Sequence, residues 1–270
     1  MEILYSIDNR IVEYIVNKIS PNIINGNIPT IHDPLIGTGG FILNSLKYLN
    51  DNHPDINWEI NKLNISGFEI DRAIHYSTLQ TLYNYSNINF VNTIKHEHCI
   101  KVSYSNKYDI IMTDLNKISD FSGGCRQKRT EISFIKYMMM TLKVNGRAAF
   151  IIKDKYLTCN KKNYIKIRKQ LLLQFNLHHV ISINDPEINY GYKNKMSILF
   201  FDNNGPTSNI NFYNITYNGY NIIETYDTCI THDRISAQYY YIYNLSRLMF
   251  ISTETDDNES LSNIIELMKI

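Results

Sequence analysis

The stretch Asp33-Pro34-Leu35-Ile36-Gly37-Thr38-Gly39-Gly40-Phe41 constrains this chain more than any other. It separates a short apolar run, Asn27 to His32, from an amphipathic run, Phe41 to Tyr48, a pattern that predicts a strand, a glycine turn and a helix. Glycine carries no Cβ and accepts positive φ, so the N–H groups of such a turn can approach a ligand closely. The start of the following helix adds further donors. An adenosine-type cofactor fits such a turn. Two other phosphate loops do not match: there is no Gly-Lys-Ser/Thr ending for a nucleoside triphosphate, and no third glycine at the dinucleotide spacing.

Taken in order, the chain alternates helix and strand patterns. Ile11 to Ile19 has helical spacing of apolar residues and ends before Pro21. Leu63 to Asp71 reads as a second strand with two acidic residues at its carboxyl end. In open α/β sheets ligands lie outside the carboxyl ends of the strands, where an acid can accept hydrogen bonds from both ribose hydroxyls. Glu69 is the first choice for that role and Asp71 the second. A helix is expected over Ala73 to Tyr83 and a third strand over Ile88 to Val91. His96-Glu97-His98 follows in a loop, read as polar because no third metal ligand lies near it. The fourth strand, Tyr108 to Thr113, runs into Asp114-Leu115-Asn116-Lys117. A loop through Phe121 to Arg129 leads to a helix over Glu131 to Leu142, and Asn145-Gly146 turns the chain into a fifth strand, Ala148 to Ile152. A helix over Lys162 to Phe175 and late strands at Val180 to Ile183, Met196 to Phe201 and Ile210 to Tyr213 complete the pattern. The expected fold is α/β: a doubly wound, mostly parallel sheet with an antiparallel edge strand.

The net charge of +1 over 270 residues gives no global basic field, so a nucleic-acid surface has to be a local patch. Arg126, Lys128 and Arg129 offer one beside the Asp114 segment, and Lys162, Lys166 and Lys169 fall on one helical face. Cys99, Cys125, Cys159 and Cys229 form no Cys-x-x-Cys pair, which argues for a reducing compartment and against a structural metal. Asp8, Arg10, Glu13 and Lys18 interrupt the apolar positions of the opening segment, so it reads as neither signal peptide nor membrane span. An intracellular, cytoplasmic protein without membrane contact is expected.

Asp33-Pro-Leu-Ile-Gly-Thr-Gly-Gly-Phe41 resembles the Asp-Pro-x-x-Gly-Thr-Gly-Gly-Phe motif of S-adenosylmethionine-dependent adenine-N6 DNA methyltransferases, above all the modification subunits of type I restriction-modification systems. Gly67-Phe-Glu-Ile-Asp71 resembles the acidic second motif of that family, and Tyr108 to Thr113 the strand leading into its catalytic tetrapeptide. Arg129-Thr-Glu131, Leu142 to Ala149 and Met196 to Asp202 follow in the family's order, so that the resemblance covers about Met1 to Tyr217. It implies a Rossmann-like class I methyltransferase domain over residues 1–217. S-adenosylmethionine would be held by Asp33, Gly37, Thr38, Gly39, Gly40, Glu69 and Asp71, and Asp114 would stand at the first catalytic position.

The departures from the family pattern bear on activity. Its catalytic tetrapeptide is Asn/Asp-Pro-Pro-aromatic, in which the first side chain and a proline carbonyl accept hydrogen bonds from the target amine while the ring stacks on a flipped-out base. Here Asp114-Leu115-Asn116-Lys117 keeps the acceptor but lacks both prolines and the ring. Tyr5-Ser6-Ile7 stands roughly where the family places a Thr-Pro cofactor contact. Residues 218–270 form a C-terminal extension in which Arg234 to Tyr241 and Leu261 to Ile265 resemble the start of a target-recognition module. Three readings follow. One is an impaired methyltransferase-like subunit that binds S-adenosylmethionine, contacts DNA weakly and acts with a specificity or other partner subunit. The second is an active adenine methyltransferase using Asp114, and the third a purely structural interaction protein without cofactor.

Overall fold

A computed structural model describes residues 7–23, 26–101, 108–116, 131–185, 187, 195–231 and 245. Helix α1 (Asn9–Ile19) starts where the Asp8 carboxylate accepts the Arg10 N–H at 2.9 Å. It stops at Ser20, whose left-handed backbone directs its N–H back to the Val16 carbonyl, just before the donor-less Pro21. Ile11, Val12, Ile15, Val16 and Ile19 recur at three- and four-residue spacing and are all buried.

Strands β1 (Ile31–Asp33), β2 (Ile65–Glu69), β3 (Ile94–His96), β4 (Tyr108–Asp114) and β5 (Leu142–Lys153) pair in parallel in the order β3-β2-β1-β4-β5. Beyond β5 come β7 (Met196–Asp202), β6 (Asn176–Ile183), β8 (Asn209–Tyr217) and β9 (Ile222–Thr231), in that spatial order. β7 is antiparallel to both β5 and β6, and β9 is antiparallel to β8. The expected antiparallel edge is therefore β9, while the other antiparallel strand lies inside the sheet. β9 also carries the sheet past Tyr217.

The helices between these strands are α2 (Gly40–Asn52), α3 (Trp58–Asn61), α4 (Arg72–Ser86), α5 (Glu131–Thr141), α6 (Lys155–Thr158) and α7 (Lys162–Gln174). Two cores result. Ala149, Ile151, Ile198 and Phe200 face the layer of α1, α2 and α4, while Ala148, Phe150, Ile152, Leu199 and Phe201 face that of α5 and α7. Burial on both faces explains why the central strands read as unbroken apolar runs rather than alternating ones.

The third strand lies a turn later than expected. Ile88 and Phe90 are buried anchors without strand pairing, because Asn87 ends α4 in a left-handed conformation and the Asn89 side chain accepts the Val91 N–H to form a turn. Pairing resumes at Ile94, so His96 belongs to a strand rather than a loop. The fifth strand starts earlier than expected, at Leu142. Asn145-Gly146 forms an irregularity within it, Asn145 taking φ 63°.

Candidate active-site cleft

β1 lies between β2 and β4, with α2 leaving β1 towards one face and α5 packing on the other. That reversal opens a crevice at the carboxyl ends of the strands. A cleft of about 170 Å³ is found there, lined by Asn9, Val12, Asp33, Thr38, Phe41 and Asp114 among others. Asp33 and Asp114, from the glycine-turn motif and the tetrapeptide 81 residues apart in numbering, thus reach one cavity.

The glycine turn is fastened on three sides. The Ile36 N–H donates to the Phe68 carbonyl at 3.0 Å, the Gly37 N–H to Glu69 Oε2 at 3.1 Å, and the Thr78 hydroxyl of α4 to the Gly37 carbonyl. Asp33, 1% exposed, accepts the Leu35 N–H at 3.0 Å. Gly39 takes φ 85°, and a Cβ there would lie 2.9 Å from Thr78 Cγ2, so both conformation and space require glycine. As the N-cap of α2 it provides no side-chain acceptor, which leaves the first-turn amides of a helix whose Gly40 and Phe41 line the cleft without a side-chain cap.

Glu69 and Asp71 have different duties. The Glu69 carboxylate accepts three backbone N–H groups, from Gly37, from Ile70 at 2.7 Å and from Asp71 at 2.8 Å. It is thereby held beside the turn. Asp71 is the N-cap of α4 and accepts from Ala73 at 2.8 Å and Ile74 at 3.0 Å.

Asp114 ends β4, is 3% exposed, and accepts the Asn116 N–H through Oδ1 at 2.9 Å. Leu115 is buried in the core on the α5 side, and the Asn116 amide donates to Met196 Sδ at 2.9 Å. The two residues in place of the family's prolines are therefore turned into the protein. Lys117 lies outside the described residues, as do Arg126, Lys128 and Arg129. Lys162, Lys166 and Lys169 form an exposed face of α7.

Sequence reasoning missed several contributors. Thr78 and Gly67 brace the turn from α4 and β2, and Asn9 and Val12 wall the cleft from α1. His32, next to Asp33, is fully buried. Its Nδ1 lies 2.9 Å from Ser66 Oγ and its Nε2 3.1 Å from the Tyr137 hydroxyl, and its ring stacks on Tyr108 at 3.9 Å. Burial drives its pKa down to about 3, so the imidazole is neutral. The alternation of β1 could have shown that His32 faces inward, but not which hydroxyls meet it.

The imidazole Nε2–H of His96 donates to the Ile70 carbonyl at 2.8 Å, and His98 Nδ1 accepts the Ile100 N–H at 3.1 Å. Among the described residues no three His, Cys, Asp or Glu side chains are placed to share a metal ion, and Cys99, Cys159 and Cys229 form no disulfide. No described helix is long and apolar enough to cross a membrane.

Comparison with known proteins agrees with this geometry. The methylase subunit of the type I restriction enzyme EcoEI from Escherichia coli is 25% identical over 222 residues, which make up 77% of this chain and 44% of that subunit. The chain thus spans less than half the length of that curated relative. The structure of the type I restriction enzyme EcoKI M protein superposes with a TM-score of 0.64 at 18% identity, covering 79% of this chain and 49% of that one. A protein from Listeria monocytogenes described as a class I S-adenosylmethionine-dependent methyltransferase superposes at 0.57 with 17% identity, covering 76% and 63%. These likenesses establish a class I methyltransferase fold. The family model for N-6 DNA methylases matches residues 9–247, which takes in the glycine turn, Glu69, Asp114 and all nine described strands. The chain belongs to the N-6 DNA methylase family.

Proposed function

We propose that the protein is an S-adenosylmethionine-binding, adenine-N6 DNA methyltransferase-like subunit whose own catalytic step is impaired. The observation that carries this reading is the single cleft lined both by the glycine turn and by Asp114. The turn suits the cofactor: Gly39 lets the chain turn tightly against Thr78 into α2, the first-turn amides of α2 can donate to its carboxylate, and Glu69 stands at the end of the second strand for its ribose. Asp33, Gly37, Thr38, Gly40 and Glu69 would hold it, with Asp71 shaping the neighbouring helix start. When bound, S-adenosylmethionine supplies an electrophilic methyl group.

Asp114, which lines the cleft, would accept a hydrogen bond from an adenine amine there. Its Oδ1 is already engaged by the Asn116 N–H, and the side chains of Leu115 and Asn116 leave towards the core, so neither offers a stacking surface. Misplacement of the amine by about an ångström is enough to cost on the order of a hundredfold in rate. Sequence-specific DNA contact would come from a partner subunit, because phosphate contacts position without specifying.

Calorimetric titration tests the cofactor half of this reading. Binding of S-adenosylmethionine to the wild type, weakened at least tenfold by Glu69→Ala, is the expected result. Absence of heat and of a rise in melting temperature at millimolar ligand would leave only the structural interaction protein. The catalytic half is tested by transfer of labelled methyl groups to duplex DNA, where no incorporation is expected from the protein alone.

A further inference from the structure

Lysines gather on the edge of the sheet that carries the cleft. β5 ends at Lys153, α6 begins at Lys155, Lys161 and Lys162 are the N-cap and first residue of α7, and Lys195 precedes β7. The strand register brings them together. Asp114 pairs with Ile151, which puts Lys153 on the adjacent strand two residues further towards this edge. Lys153 pairs with Met196, and the Asp154 N–H donates to the Lys195 carbonyl at 3.0 Å, which sets Lys195 alongside. The ring of Tyr164, in the first turn of α7, stacks on Tyr156 of α6 at 5.0 Å and joins the two helix starts.

This concentration stands out in a chain of net charge +1. Lys155, Lys161, Lys162 and Lys195 are exposed, and none forms an ion pair among the described residues. The neighbouring acids Asp154, between β5 and α6, and Glu131, on α5, are engaged by hydroxyls, and Asp154 also feels the charge of Lys195. The Asp154 carboxylate accepts the Ser197 hydroxyl at 2.7 Å, and Glu131, buried at the start of α5, accepts the Tyr164 hydroxyl at 3.3 Å. Two lysines at the start of α7 also occupy the end of a helix that disfavours cations, so a compensating anion is called for.

The surface chemistry separates the two obvious anionic partners. A protein interface needs apolar or aromatic anchors at its centre and is depleted in lysine. Among the described residues, the large exposed apolar side chains lie away from these lysines, as with Ile60 and Leu63 before β2, Tyr76 and Tyr83 on α4, and Tyr220 and Tyr226 around β9. A rim of lysines without such anchors suits a phosphate chain, for which lysine acts as a point charge.

We propose that Lys155, Lys161, Lys162 and Lys195, with Lys153, receive the phosphodiester backbone of duplex DNA and hold it over the cleft at Asp114 without reading sequence. The proposal rests on the methyltransferase reading for the identity of the duplex. It requires neither bound cofactor nor catalysis.

The test follows the salt dependence of binding of the full chain to a mixed-sequence duplex by fluorescence anisotropy. Each lost phosphate contact lowers the slope of log K against log salt by about 0.9. A Lys161→Gln, Lys162→Gln, Lys195→Gln variant is expected to lose between about two and three units of slope by that measure. A charge-matched Lys47→Gln, Lys95→Gln, Lys136→Gln variant is expected to keep the wild-type slope, and a triple Lys→Arg variant of the rim to restore binding. Melting temperatures of all variants report folding. Equal slopes for the two glutamine variants overturn the proposal, as does a wild type that fails to bind duplex at low salt. Competition by polyglutamate as effective as that by DNA overturns it in favour of an acidic protein partner. Rim-dependent DNA binding without any titration of S-adenosylmethionine supports the rim and removes the methyltransferase reading, so the two fail separately.

Discussion

Gly67 of β2 stands so close to Ile36 of the glycine turn that a Cβ on it would lie 2.8 Å from Ile36 Cδ1 and 3.2 Å from the Asp33 carbonyl oxygen. The second strand and the ligand turn are thus fitted to each other with no space between them. Gly67→Ala should cost about 1 to 3 kcal/mol by overpacking. Adding Ile36→Val, which removes the Cδ1 atom, should recover part of that loss. Chemical denaturation of both variants checks this, and a Gly67→Ala protein as stable as the wild type would show that the contact is not tight.

The Glu69 carboxylate gathers three N–H donors at the same junction. Removing a buried acceptor leaves its donors unsatisfied, at about 1 to 3 kcal/mol. Glu69→Ala should therefore lower stability even without cofactor, whereas Asp71→Ala should cost about 1 kcal/mol, the usual loss for an N-cap. Only the Glu69 change should also weaken S-adenosylmethionine in calorimetry by a larger factor than its stability loss explains. Equal effects of the two changes on ligand affinity would place both acids in the same role.

His32 makes stability depend on pH. Its pKa is depressed to about 3 in the fold, against about 6.5 in the unfolded chain, because burial disfavours the imidazolium. Above pH 6.5 both states are neutral and the group imposes no penalty. As pH falls below that value the unfolded state takes up a proton that the folded state refuses, so stability declines by about 1.4 kcal/mol per pH unit towards pH 3. His32→Gln should be less stable near neutrality, through lost stacking on Tyr108, yet show a shallower decline between pH 6 and 4. Parallel curves for the two proteins would mean that His32 is not the group responsible.

The folding unit should extend through β9. Glu224 of that strand accepts hydrogen bonds from the Tyr14 hydroxyl and, at 2.8 Å, from the Lys18 ammonium of α1, and Ile230 is buried beneath it. Ending the chain after Tyr217 removes this tie and about 2 kcal/mol of apolar burial from Ile230 alone. A protein ending at Tyr217 should melt well below one ending at Thr231. Equal melting temperatures would put the boundary at residue 217 instead.

The parts of the site carried by local patterns were legible in the sequence. Asp33 to Phe41 announces its turn through its glycines, and Tyr108 to Asp114 its strand through four apolar or small residues in a row, Ile110 to Thr113, before an acid. Asp71 was equally legible as a helix cap, since Asp precedes the helical run Arg72-Ala73-Ile74. What stayed hidden depends on contacts between distant residues. β7 is inserted between β5 and β6 through pairings that no local pattern encodes, and the Met196 sulfur meets Asn116 across 80 residues. Ile88 and Phe90 misled because buried anchors in a turn carry the same apolar signature as a strand.

The tetrapeptide offers the sharpest test. Leu115 is 1% exposed within the α5-side core, and the Asn116 N–H ties Asp114 Oδ1 back onto its own turn. Reinstating the family pattern with Asp114→Asn, Leu115→Pro, Asn116→Pro and Lys117→Phe removes a buried isobutyl group and deletes that N–H. The large-to-small change at 115 alone should cost about 2 to 4 kcal/mol. Asn116→Pro releases the side chain at 114, and Lys117→Phe supplies a ring for stacking. The expected outcome is a less stable protein that transfers labelled methyl groups to duplex DNA at a measurable rate, where the natural chain transfers none. Loss of stability without any gain in transfer would trace the impairment to some other part of the cleft. Robust transfer by the natural chain, abolished by Asp114→Ala, would overturn the impaired reading and make Asp114 a catalytic residue as it stands.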